Sequence, residues 1–145
     1  MPAHRGPRNA AATSLGSAIL ASALFLALGC GAARAEDGWY TQAQADLGHQ
    51  LFNNYCAECH RPDLSGAMGP ALVGKTFQDK WGGKTLGDLY AFEHEKMPAT
   101  NPGSIPPDHL WEITAYILEK NAFKAGTAEL GKQSDLGRAL AFQAK

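Results

Sequence analysis

Apolar and polar positions along the chain fall into three kinds of pattern. From Leu15 to Leu28 the chain is almost continuously apolar, with small polar residues between. Further on, Ala45, Gly48, Leu51, Phe52 and Tyr55 recur at helical spacing. Thr41-Gln42-Ala43-Gln44 precedes them as a capping box, a hydroxyl followed three residues later by Gln. The spacing predicts a helix over 42–54 that runs straight into Cys56. Thr85-Leu86-Gly87-Asp88 is a second hydroxyl-x-x-acid cap, and Leu86, Leu89, Tyr90 and Phe92 predict a short helix ending before Met97-Pro98. Proline disfavours helical backbone at the residue before it, which sets Met97 in an extended stretch.

The clearest periodicity follows Pro106-Pro107-Asp108. Proline suits a first helical turn, and an acid suits the positive helix end. Leu110, Ile113 and Ile117 make one face, and Trp111, Ala115 and Leu118 the next, so this helix should be largely buried. Lys120 and Asn121 end it. Residues 61–84 carry Gly66, Gly69, Pro70, Gly74, Gly82 and Gly83 and little periodicity. They predict loop with a single helical turn around Phe77 to Trp81. A loop of that length inside one small domain needs something to wrap. Leu136 and Leu140 predict a short extra helix within 134–144. The sum is an all-α domain with three main helices.

The N-terminus reads as an export signal. His4, Arg5 and Arg8 are a basic start, the apolar run follows, and Ala33-Arg34-Ala35 is a small-x-small cleavage site. This divides the chain into a signal peptide, 1–35, and a mature domain, 36–145, with a core of about 41–121 and an extension of 122–145. The expected location is the periplasm. The apolar run is short for a retained span. Leu26-Ala27-Leu28-Gly29-Cys30 is a weak likeness of a lipobox, with Ala27 where Leu is usual, so a lipid anchor at Cys30 is the lesser alternative to cleavage.

Composition narrows the function. The 145 residues suffice for one ordinary domain, and 45% are hydrophobic, which excludes a disordered chain. The net charge is -1, and no Lys/Arg run would track a phosphate backbone, so nucleic acid is not an expected partner. Removing 1–35 takes away three of 13 basic residues and none of the 14 acidic ones, leaving a net charge of −4.

Cys56 and Cys59 are then the two remaining cysteines, and His60 follows them directly. Cys56-Ala57-Glu58-Cys59-His60 is a C-x-x-C-H sequence, the attachment pattern for c-type haem. Two thiols add to the two vinyl groups of one haem edge, and the next residue brings an imidazole beneath the ring to bind iron. A thioredoxin-like pair would need a preceding strand, where a helix is predicted. Structural zinc would need a fourth ligand. A plain disulfide leaves His60 unexplained.

Residues from about 44 to 120 resemble a class I cytochrome c domain, a mono-haem, His/Met-ligated fold. Gly48 and Phe52 precede Cys56 at steps of four, like the family's first helix, and Ile113 and Tyr116 resemble its partner positions on the last helix. The resemblance implies that Gly48 lets the two helices cross closely. Gly69-Pro70-Ala71-Leu72 resembles the family's loop after the haem motif, which implies that the Pro70 carbonyl accepts a hydrogen bond from the iron-bound His60. Met97, 37 residues after His60 and followed by Pro98, resembles the family's Met-Pro and implies the sixth ligand. Met68 and His94 are its rivals. The expected site is thus Cys56, Cys59, His60, Pro70 and Met97 around one covalent haem c, with iron held by His60 and Met97. Phe77, Trp81, Leu86 and Leu89 are expected to line the pocket, with Trp81 either reaching a propionate, as a Trp does in some relatives, or simply packing in the core. The surface histidines are His49, His94 and His109. The implied function is one-electron transfer between redox proteins, such as a periplasmic dehydrogenase and a downstream cytochrome or oxidase, without enzyme activity. The alternative is a haem enzyme or small-ligand sensor with a labile sixth ligand.

Overall fold

A computed structural model describes residues 38–142. The export segment 1–35, Cys30 included, lies outside the described residues. Among the described residues five α-helices follow one another: α1 Gln42–Tyr55, α2 Ala57–His60, α3 Gly74–Trp81, α4 Leu86–Lys96 and α5 Pro107–Lys120, with a 3-10 turn at Gln133–Asp135. Among the described residues there is no strand, only two isolated bridges, Tyr40 with Ala125 and Thr85 with Ala139. No described helix is long and apolar enough to cross a membrane.

Both predicted capping boxes form. The Thr41 hydroxyl accepts from the Gln44 N–H, and the Gln44 side chain returns to the Thr41 N–H. Thr85 and Asp88 do the same for α4. Such a cap contributes about 1 kcal/mol to its helix. The two hydroxyls thereby fix where the two cavity-bearing helices begin.

α1 packs chiefly on α5. Gly48 makes that crossing possible: a Cβ there would fall 1.9 Å from the Glu112 carbonyl oxygen. Around the crossing Phe52, Ile113, Tyr116 and Ile117 are buried, and the Phe52 and Tyr116 rings lie 5.5 Å apart. This agrees with the pairing of Gly48 and Phe52 with Ile113 and Tyr116 expected from the family pattern.

Two expectations need correction. The glycine-rich segment holds a full helix, α3, where a single turn was expected. Phe77 and Trp81 give it a buried face one turn apart, and Lys75 pairs with Asp79 on the other face. Glycines lie at its ends and not inside it: Gly74 has φ +67° and opens it, and Gly82 caps it. The tail also departs from the expected helix. Leu136 ends the short 3-10 turn in helical conformation (φ −58°, ψ −32°), and the chain beyond it is not helical: it bonds to the start of α4 and the turn before it through Leu86 N–H to Arg138 O (2.8 Å) and Leu140 N–H to Lys84 O (2.8 Å). Leu130 and Leu140 are buried in the core.

Candidate functional site: an apolar cavity behind a C-x-x-C-H turn

The site begins at the end of α1. The Cys56 N–H closes α1 on Phe52 O (2.8 Å), and the Cys56 carbonyl then accepts from Cys59 N–H (3.2 Å) and His60 N–H (2.9 Å). This single tight turn is α2. Residues three and four apart on such a turn share a face, so Cys56, Cys59 and His60 all border one cavity.

Beyond His60 the chain reverses at Arg61 (φ +62°) and folds back, with Gly66 N–H on His60 O and Gly69 N–H on Cys59 O. The return places Pro70 O 2.8 Å from His60 Nδ1. A proline carbonyl can only accept, so Nδ1 carries the hydrogen, and Nε2 keeps its lone pair for a metal. Gly69 lies flat on the ring: a Cβ there would stand 2.6 Å from His60 Cε1.

The cavity measures about 520 Å³, within the usual range for cofactor sites. Its wall is predominantly apolar. Phe77 and Trp81 come from α3, Leu89 and Phe92 from α4, and Leu110, Ile113 and Ile117 from α5. Met97 borders it too, as the half-buried residue that ends α4 in extended conformation (φ −119°, ψ 149°). Met68 is at the edge and 76% exposed. His94 is exposed, stacked beside Tyr90, and does not border the cavity. Leu86, expected on the wall, is buried elsewhere in the core. His109, expected on the surface, is half-buried beside Tyr55, while His49 is exposed and stacks on Tyr116.

Both cysteines are free thiols. Burial, with the Glu93 carboxyl and Cys59 nearby, pushes the Cys56 thiol up to about 12, so it stays protonated. Glu93 is the residue that the sequence reading missed. It borders the cavity, is 7% exposed, and bonds through Oε2 to the Thr114 hydroxyl (2.5 Å). Burial raises its carboxyl to about 8, against the lowering effect of that hydrogen bond. A signal was available: Leu86, Leu89 and Glu93 continue one helical stripe at steps of three and four, so the acid stands on an apolar face.

Residues 43–117, just over half of the chain, match the family model described as "Cytochrome C oxidase, cbb3-type, subunit III". The chain belongs to this family of c-type cytochrome domains. The cytochrome is also similar to a chain in the crystal structure of the sulfane dehydrogenase SoxCD from Paracoccus pantotrophus. That likeness has 29% identity and a TM-score of 0.43, and covers 53% of the cytochrome and 43% of the other chain. The cytochrome thus spans less than half the length of that relative. No curated protein matches it.

A cytochrome c domain carries covalently bound haem c, and the residues present fit that group. Two free thiols stand at C-x-x-C spacing. One imidazole has its outer nitrogen bonded to Pro70 and its inner one free. A glycine lies where a methyl would collide with that ring, and the wall is apolar. Structural zinc fits poorly, because no three His, Cys, Asp or Glu side chains converge on a point among the described residues.

Proposed function

We propose that this cytochrome is an exported, periplasmic one-electron carrier and not an enzyme. Cys56 and Cys59 are the attachment thiols, His60 and Met97 hold the iron, and Pro70 orients His60. When bound, haem c supplies reversible Fe(III)/Fe(II) chemistry. The chain does the rest. Leu89, Phe92 and Ile113 exclude water, which limits solvent rearrangement on electron transfer. The Pro70 carbonyl holds the imidazole in one tautomer and raises its basicity. A thioether at Met97 favours the ferrous state and raises the reduction potential. The observation that carries the reading is the pairing of His60 Nδ1 with Pro70 O at 2.8 Å, beside two free thiols on one apolar cavity.

Export is supported by the basic start, the apolar run and Ala33-Arg34-Ala35. Partners are redox proteins that dock briefly over a small interface, and a periplasmic dehydrogenase and a downstream cytochrome or oxidase suit this chemistry. The test is a pyridine haemochrome spectrum of the exported protein, followed by redox titration and exposure of the ferrous form to CO. A two-thioether haem c, reversible single-electron titration and no rapid CO binding are expected. A colourless polypeptide overturns the haem reading. Rapid CO binding overturns Met97 as a firm ligand in favour of a haem enzyme or ligand sensor.

A further inference from the structure

The cavity wall contains a buried acid that an apolar haem pocket does not require, the Glu93 carboxyl. The residue is 7% exposed. Oε2 is held 2.5 Å from Thr114 Oγ1 on α5. The same hydroxyl lies 2.8 Å from Leu110 O, one helical turn back. The hydroxyl thus ties the carboxyl on α4 to the backbone of α5. Oε1 is buried and has no hydrogen-bond partner among the described residues. Buried oxygens without a donor are uncommon and call for an explanation. Glu93 borders the cavity, so its carboxyl lies close behind the wall of the space that a cofactor would fill.

We propose that Glu93 is a potential-setting residue of the haem pocket, its carboxyl fixed by Thr114 at the cavity wall so that it stabilises the oxidised cofactor. Oxidation adds one positive charge at the iron. Carboxyl oxygens carry negative charge, partial when neutral and full when ionised, and negative charge nearby stabilises the oxidised form more than the reduced one, the more so in a low-dielectric surrounding. Glu93 therefore opposes Met97: the thioether favours ferrous iron and the carboxyl oxygen favours ferric. The inference rests on haem c occupying this cavity. The haemochrome spectrum of the parent protein tests that separately, so the two readings fail in different measurements.

The experiment is redox titration of haem-loaded Glu93→Gln, Glu93→Leu and Glu93→Met, with melting temperature recorded alongside. The leucine and methionine variants remove the oxygen and are expected to raise the ferrous-to-ferric preference about tenfold, roughly 59 mV upward for one electron. Gln keeps a carbonyl oxygen and is expected to shift by less than half as much. A purely structural residue would lower the melting temperature and leave the potential in place. A potential that is unchanged, or lower, in a haem-loaded apolar variant overturns the proposal. Should neither apolar variant load haem, Thr114→Val decides, since it keeps the carboxyl and cuts its anchor. A shift of at least threefold in the preference is expected there, and a smaller one overturns the proposal.

Discussion

Side chains in this cytochrome act through contacts a few ångströms long, and the floor of the cavity shows how little room they have. Gly69 is there because a Cβ would stand 2.6 Å from His60 Cε1 and 2.8 Å from Nδ1. Gly69→Ala must push the imidazole or the loop, and either movement stretches the 2.8 Å bond to Pro70 O. The ring loses part of the basicity that this bond confers, and a less basic ligand favours ferrous iron. The expected outcome is a higher reduction potential, together with a loss of about 1–3 kcal/mol in stability from overpacking. Redox titration and guanidinium unfolding check it, and parental values in both would show that the loop yields freely. Cys56, Cys59 and His60 were legible in the sequence because C-x-x-C-H is contiguous and chemically specific. Pro70 was legible only through the family pattern, since ten residues of loop separate it from His60. Glu93 escaped because a lone acid in a helix is normally read as a solvent-facing position, and only its step from Leu89 betrays it.

Helices carry the next level of constraint. The pairing of α1 with α5 was legible because both helices are strongly periodic and both ends of the crossing carry recognisable residues. α3 was read as a lone turn because glycine density conceals a helix when the glycines sit at its ends. The tail was read as a helix because Leu136 and Leu140 are four apart, yet only a 3-10 turn ending at Leu136 forms, and beyond it the backbone bonds to the α3–α4 turn. Gly48 offers the sharpest test at this scale. Its missing Cβ would meet the Glu112 carbonyl oxygen at 1.9 Å and the carbonyl carbon at 2.6 Å, both backbone atoms that no rotamer change can move. Gly48→Ala must separate α1 from α5. Removing a helical glycine would by itself gain up to about 1 kcal/mol in propensity, so the sign of the result is informative. The expected outcome is a net loss of about 3 kcal/mol, seen as a fall in melting temperature on the order of 10 °C or more. A rise in melting temperature would mean that the crossing is looser than these distances state.

At the scale of the whole molecule, the tail joins parts of the chain that the helices leave separate. Tyr40, just before α1, donates its hydroxyl to Phe123 O (2.7 Å) just after α5. The Gln44 amide grips Leu130 from both directions, donating to its carbonyl (3.0 Å) and accepting from its N–H (2.7 Å). Phe142 meets Phe77 edge-on at 5.8 Å and Phe123 at 5.3 Å, so the tail backs the helix that supplies Phe77 to the cavity. None of this is visible in local periodicity, because each partner lies far away in sequence. The arrangement makes residues 122–142 part of the cofactor-bearing body and not an appended arm. Leu140 tests this directly. It is fully buried, its N–H bonds Lys84 O, and its own carbonyl accepts from Gly83 N–H (3.2 Å). Leu140→Ala keeps those backbone bonds and empties the space beneath them. Large-to-small changes of this kind cost about 2–5 kcal/mol when the tail stays docked and a cavity remains. Guanidinium unfolding followed by haem absorbance should therefore show the midpoint falling by that amount in free energy, with haem retained through both thioethers. A loss below about 0.5 kcal/mol, the range typical of surface substitutions, would instead mean that the tail leaves the body at little cost. The cavity would then be built by residues 40–121 alone.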